Sequence, residues 1–249
     1  MKYVGGKSKL ATPIVDTMLY YVWDRHTYIE PFVGGAAVAT RAIGEFGVAC
    51  IGDMHPDVIA LYRALEDGWV PPDDLSEDEY NALRDHARAH PEDADALRGF
   101  AGFGCSFGAK WFGGYARGYT GELSDGTPQS YAGESKRSLL KTQRAFQQHE
   151  ALTIARQPYT AWQPTEGTVV YCDPPYVGTQ GYAGTDPFDT DAFWHHVEGW
   201  RDDGVHVFVS EYTAPAGWEA VWELDHLQTL SLGNNDTATV ERLYYRPPV

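Results

Sequence analysis

The sequence predicts an α/β fold: a parallel sheet interrupted by an inserted, mostly helical region. Three observations point there. Short apolar strands alternate with helical stretches near both ends of the chain, as βαβ units do. A Pro71-Pro72 break ends the first such run. The stretch beyond it changes character and turns rich in glycine, aromatics and basic residues.

Taken in order, SKLATPIVDTMLYYV has helical spacing, TYIEPFVGG reads as a strand entering a glycine turn, and AAVATRAIGEF as the helix that follows. VACIGD is the next strand. PDVIALYRALEDG is a helix with Pro56 suited to its first turn and Gly68 past its end. After the proline break, SEDEYNALRDHARAH reads as a surface helix, opened by a capping box of Ser76 and Glu79. In GFAGFGCSFGAKWFGGYARGYTG the aromatics Phe100, Phe103, Phe107, Trp111, Tyr115 and Tyr119 keep helical steps. Eight glycines between Gly99 and Gly121 weaken any regular helix there, each by about 1 kcal/mol against alanine. An irregular, packed helix-and-loop segment is expected. ESKRSLLKTQRAFQQH is a clearer helix, with Arg137, Lys141 and Arg144 on one stripe. LTIAR and TVVYCDPPY then read as strands, DTDAFWHHVEGWRDDG as a helix and VHVFVSEY as a strand. LDHLQTLSL with TVERLYYRP forms a terminal antiparallel pair. These readings divide the chain into 1–70 with 157–249 as one sheet domain and 71–156 as the insertion.

With 249 residues, 43% hydrophobic and 14% aromatic, the chain is expected to be a folded globular protein. No apolar run of membrane-spanning length occurs and no secretory signal is expected, so a cytoplasmic location is. Cys50, Cys105 and Cys172 are widely spaced and suit reduced thiols, while nine histidines form neither HExxH nor a Cys/His cluster. No metal site is expected. The net charge of −16 argues against a nucleic-acid partner until its distribution is read. From Arg98 to Arg156 there are eight Lys/Arg against four Asp/Glu, a local +4 that leaves −20 on the remainder. An acidic body with one basic segment can bind DNA through that segment.

Gly5-Gly6-Lys7-Ser8 looks at first like the end of a phosphate-binding loop. That loop needs a glycine five residues before Gly6, where Met1 stands, and a strand ahead of it, so a nucleotide hydrolase is not expected. The stronger signal is YCDPPYVG. A buried strand delivers Asp173 to its carboxyl end, where open α/β sheets bind ligands. Pro174 and Pro175 then stop the ladder. The arrangement suits methylation of an exocyclic amine. Adenine N6 is a poor nucleophile because its lone pair is delocalised into the ring. A carboxylate and a rigid backbone carbonyl, each accepting one N6–H, localise that lone pair. Tyr176 can stack on a base taken out of the helix. Cys172 precedes the aspartate without a Pro-Cys pair and is no nucleophile for cytosine C5, and His195 and His196 read as ordinary helix residues.

Together these motifs resemble the Dam-type, DPPY-bearing DNA adenine N6-methyltransferases, closest in character to virus-encoded members. YVGGK resembles that family's N-terminal cofactor motif, EPFVGG its S-adenosyl-L-methionine loop, and GDMHPDVIALYRAL the segment whose acidic residue holds the cofactor ribose. DPPY resembles its catalytic tetrapeptide, and VFVSEYTAP the strand after it. The resemblance implies a Rossmann-like class I AdoMet-dependent methyltransferase sheet, with a target-recognition region inserted at 71–156. It implies catalytic roles for Asp173, Pro174, Pro175 and Tyr176. Cofactor contacts are implied for Tyr3, Gly5, Gly6, Lys7, Glu30, Pro31, Phe32, Gly34, Asp53, Met54 and Asp173. Lys7 would stand near the methionine end, where an ammonium pairs with a carboxylate. Plainer readings stand beside these: Asp53 as a helix N-cap or turn residue before Pro56, Lys7 as a solvated lysine, Tyr3 and Phe32 as core aromatics.

Lys110, Arg117, Lys136, Arg137, Lys141 and Arg144 are the DNA-contact candidates. For Arg137, Lys141 and Arg144 the alternative is a solvated basic face. For Lys110 and Arg117, which could meet phosphates or an extruded base, it is glycine–aromatic packing that stiffens the lobe. The implied reaction transfers a methyl group to N6 of a flipped adenine in double-stranded DNA, by a monomer or weak dimer in the cytoplasm, the host's if the chain is viral. Protection from restriction is the default role for a lone viral methylase. The alternatives are methylation of cytosine N4 or of RNA on the same fold, or a non-catalytic DNA-binding or virion-associated relative.

Overall fold

The computed structural model describes residues 3, 5–117, 130–176, 188–226 and 239–249. Tyr119 and residues 227–232 of the expected terminal pair lie outside them. The architecture is a seven-stranded sheet with helices on both faces. The strands are β1 (Thr27–Glu30), β2 (Val48–Gly52), β3 (Leu152–Ala155), β4 (Val169–Cys172), β5 (His206–Glu211), β6 (Glu219–His226) and β7 (Thr239–Arg246). Their order across the sheet is β3-β2-β1-β4-β5-β7-β6. β3 to β5 run parallel, and β7 is inserted antiparallel between β5 and β6. The expected α/β class with a mostly parallel sheet is what the backbone forms. The chain steps outward from β1 to β3, then returns to the other side of β1 with β4. That reversal opens a crevice at the carboxyl ends of β1 and β4.

The period-2 alternation of the strands builds two cores. Tyr28, Ile51, Val169, Tyr171, Phe208 and Leu243 bury into one face, beneath α1 (Ala11–Tyr21), α2 (Ala37–Ala42) and α3 (Pro56–Glu66). Ile29, Val170, Cys172, Val207, Val209 and Tyr244 bury into the other, beneath α7 (Thr190–Asp202). Pro56 does open α3, and Gly68 beyond it takes a φ of +95° that favours glycine.

α4 (Glu77–Ala89) starts with the expected capping box: Ser76 Oγ accepts from the Glu79 amide at 3.2 Å, and the Ser76 amide donates to Glu79 at 2.8 Å. The glycine-aromatic stretch is irregular, as its composition suggests. A short α5 (Ala96–Gly99) runs into a π-helical turn, Phe100–Gly104. Its glycines permit close approach: a Cβ on Gly99 would stand 2.4 Å from the Asp57 carbonyl oxygen, and one on Gly102 2.2 Å from the Trp111 ring. Phe100 and Phe103 are buried there, whereas Phe107 is exposed.

α6 (Tyr131–Gln148) buries Leu139 and Phe146 in the first core. Its Gln143 amide donates to the Leu65 and Trp69 carbonyls at 3.1 and 2.8 Å, satisfying groups at the end of α3. β3, which falls inside the range 71–156, pairs with β2 as the edge of the sheet. The terminal antiparallel pair is present, but its first strand begins at Glu219, earlier than LDHLQTLSL suggested. EAVWELDH pairs with β7 around a register shift between Ala220 and Trp222.

Candidate functional site

Three carboxylates stand at the carboxyl ends of adjacent strands: Glu30 on β1, Asp53 after β2 and Asp173 after β4. Asp53 is buried, and its two oxygens accept the amides of Gly34 at 3.0 Å and His55 at 2.9 Å. Asp53 thereby fixes the glycine turn after β1. In that turn Gly34 has φ +43°, Ala36 has φ +55°, and the Gly34 carbonyl accepts the Tyr62 hydroxyl at 2.6 Å. Burial pushes the Asp53 carboxyl up, against the pull of its backbone donors. Glu30 turns into the first core and accepts the Tyr28 hydroxyl at 2.6 Å. Burial pushes it well above the usual carboxylate range. The Tyr28 bond works the other way, and the charges of Asp173 and Asp53 add to the rise. The three carboxyl groups therefore sense one another along this edge of the sheet.

The front of the chain packs against this edge of the sheet. Gly5 takes φ +72° and the Gly6 amide donates to the Tyr3 carbonyl at 2.9 Å, a tight turn that aims Lys7 inward. The Lys7 carbonyl then accepts the Leu10 and Ala11 amides as α1 begins. Lys7 is not a solvated lysine but 6% exposed. Its ammonium lies 2.9 Å from Asp173 Oδ1, 3.2 Å from Glu241 Oε1 and 3.3 Å from the Gly5 carbonyl, and 4.6 Å from the centre of the Tyr176 ring. Burial draws the ammonium's pKa down, but Asp173 and Glu241 outweigh it and the net shift is upward. Burial raises the Asp173 carboxyl, Lys7 opposes this, and Glu241 adds to it. Lys7 faces two carboxylates of the chain itself, Asp173 and Glu241, where the resemblance implied one near the methionine end of the cofactor.

Pro174 is buried and Pro175 exposed, so the segment leaves the sheet directly after Asp173. The Tyr176 hydroxyl donates to Glu241, and its ring meets Tyr212 edge-on at 4.7 Å. Tyr3 and Phe32 flank the glycine turn from opposite faces of the sheet. The Tyr3 ring packs over Gly34 and 4.7 Å from Phe103. Phe32 stacks 5.5 Å from Tyr159, beside Phe188 and Phe193. Pro31 is buried beneath the turn; Met54 is exposed at its rim, and its carbonyl accepts from Arg156 at 3.2 Å.

Glu241 and Tyr212 escaped the sequence reading. Glu241 could have been found, because TVERLYYR puts it on the same alternate positions as the buried Leu243 and Tyr245. A charge at a core position calls for partners. Tyr212 carried no such signal.

Away from this site, Arg137, Lys141 and Arg144 form an exposed row on α6. Lys136 pairs with Asp73 at 2.7 Å, and the exposed Arg117 pairs with Glu77, its Nε donating at 3.0 Å. Lys110 is exposed. Among the described residues no helix is long and apolar enough to cross a membrane.

Residues 3–94 match the D12 class N6 adenine-specific DNA methyltransferase family. Over 87 residues, 35% of this chain, the sequence is 33% identical to the Type II methyltransferase M.CviBI of Paramecium bursaria Chlorella virus NC1A, and the match spans 30% of that relative's length. The expected resemblance to the Dam-type family, with viral relatives, is borne out over that segment. It holds the Lys7 turn, β1, β2 and Asp53, and stops short of Asp173. Solved structures overlay distantly. One is the 23S rRNA methyltransferase ErmE, with TM-score 0.40, 9% identity and coverage of 99% of this chain and 71% of that one. Another is the methyltransferase yhhF of Escherichia coli, with TM-score 0.36, 11% identity and coverage of 95% and 88%. These overlays add nothing to the strand order described above.

Proposed function

We propose that the chain transfers a methyl group from S-adenosyl-L-methionine to N6 of an adenine extruded from double-stranded DNA. The observation that carries this reading is Asp173. It is held at the carboxyl end of β4 by Lys7, beside Tyr176, in a site whose other wall is the family-matched segment.

The residues fit the donor. A sulfonium is a cation, and Glu30, Asp53 and Asp173 stand at the carboxyl ends of three adjacent strands. Asp53, oriented by two backbone donors, is set to accept ribose hydroxyls. The Gly5, Gly6 and Gly34 turns, with Tyr3, Pro31, Phe32 and Met54 around them, bring backbone close to a nucleoside-sized ligand. When bound, S-adenosyl-L-methionine supplies an electrophilic methyl group. Asp173 and the Pro174 carbonyl would each accept one N6–H, directing the nitrogen lone pair toward that methyl group. The proton leaves to water after transfer. The Tyr176 ring offers a stacking surface for the extruded base. The insertion between β2 and β4 would carry the DNA contacts through Lys110, Arg117, Lys136, Arg137, Lys141 and Arg144. Arg117 and Lys136 would exchange Glu77 and Asp73 for phosphates.

Incubation with radiolabelled S-adenosyl-L-methionine and unmethylated double-stranded DNA, followed by base analysis, tests the reading. N6-methyladenine is expected from the wild type, and a loss of at least about a thousandfold from Asp173→Ala, the scale at which removal of a key transition-state contact registers. Undiminished transfer by Asp173→Ala would sink the assignment, and N4-methylcytosine would change the acceptor.

A further inference from the structure

We infer that Glu241 is a positioning residue of this site: it holds the Tyr176 hydroxyl and the Lys7 ammonium together, and so fixes the stacking ring and the partner of Asp173 before a base arrives. The inference rests on the methyl-transfer reading and adds a residue from β7 that lies far outside the family-matched segment.

The geometry is specific. A single oxygen, Oε1, accepts from the Tyr176 hydroxyl and lies 3.2 Å from the Lys7 ammonium. The ammonium has three donors, and three acceptors surround it: Asp173, Glu241 and the Gly5 carbonyl. Glu241 therefore competes with Asp173 for Lys7. Without its charge Asp173, already 2.9 Å away, would be left as the ammonium's one carboxylate partner and would be less free to accept N6–H. Without its acceptor the Tyr176 hydroxyl would keep its bond to Asp173, and would draw on the carboxylate that N6–H needs.

Glu241 is also costly where it stands. It is 7% exposed, on the strand face that buries Leu243 and Tyr245. Two carboxylates facing one ammonium leave an excess negative charge in a buried place, which folding alone disfavours. Methyl transfer makes use of that excess, since N6 turns positive as it takes the methyl group and before it loses its proton.

Glu241→Gln keeps the shape and removes the charge, Tyr176→Phe removes the hydroxyl and keeps the ring, and the double variant joins them. Measured on unmethylated double-stranded DNA, Glu241→Gln is expected to lower kcat about tenfold or more. DNA affinity by mobility shift should stay within about twofold, because Glu241 touches no proposed DNA contact. The acid limb of kcat should move to lower pH, since Glu241 raises the Asp173 carboxyl. Tyr176→Phe should add little loss in the double variant, as coupled partners do.

Wild-type kcat with an unmoved acid limb in Glu241→Gln, or fully additive losses, overturns the inference while leaving the proposed function intact. If thermal unfolding shows that Glu241→Gln does not fold, Tyr176→Phe decides, and wild-type kcat there overturns the inference. No transfer by the wild type overturns the proposed function and this inference with it.

Discussion

His55, two residues past Asp53, shows how much of this site is set by surroundings. Its ring packs 4.3 Å from Trp111 and 5.1 Å from Phe103. Burial, with the charges of Arg98 and Arg156, pushes its pKa down from 6.5 to about 4. A histidine depressed on folding binds fewer protons folded than unfolded between those two values, so its contribution to stability is lost as pH falls from about 6.5 toward 4. Glu30, Asp53 and Asp173, raised by burial, act in the opposite sense across the acid range. The comparison that isolates His55 is therefore wild type against His55→Gln, by denaturant unfolding at several pH values. The variant should lack a rise of at most about 1.4 kcal/mol per pH unit in that window. Parallel curves would show that the ring titrates as it does in solvent.

At the scale of elements, α3 and α5 are joined by an ion pair inside the core. Arg98 is 2% exposed, and its Nε and Nη2 each lie 2.9 Å from an oxygen of Asp57. Asp57→Ala would leave that guanidinium buried without its carboxylate, and a loss of about 3–5 kcal/mol in unfolding free energy is expected; a loss below about 1 kcal/mol would show that the helices repack around it. Nothing in the sequence pointed to this pair, because Asp57 in the first turn of a helix and Arg98 in a basic segment each have an ordinary surface explanation. The elements themselves were largely legible. Strand alternation, the Pro56 and Ser76 starts and the DPPY stop all act within a few residues, where local physics decides. The Lys7–Glu241 contact and the place of β6 depend on pairings between distant parts of the chain, which local pattern does not encode. Tyr3 and Phe32 were open between core and pocket, and the structure sets them in core packing that also borders the turn.

For the whole molecule, the proposed function requires a chain of net charge −16 to approach a polyanion. The exposed row Arg137, Lys141 and Arg144 supplies the proposed answer. Replacing all three with glutamine should weaken DNA binding alike for all sequences. The slope of log affinity against log salt should fall by about one for each phosphate that is no longer neutralised. An unchanged slope would place the DNA-binding cations elsewhere. The strand order has a consequence of another kind. Residues 7, 173 and 241 meet at one point, so the Lys7–Asp173–Glu241 cluster closes loops that span most of the chain. Such closures come late and slowly in folding. While the ribosome is still making β7, the nascent protein already holds Lys7 and Asp173 but not Glu241. The finished site is therefore a product of completed synthesis, and a chain cut short before β7 would carry the family signature without the assembled centre.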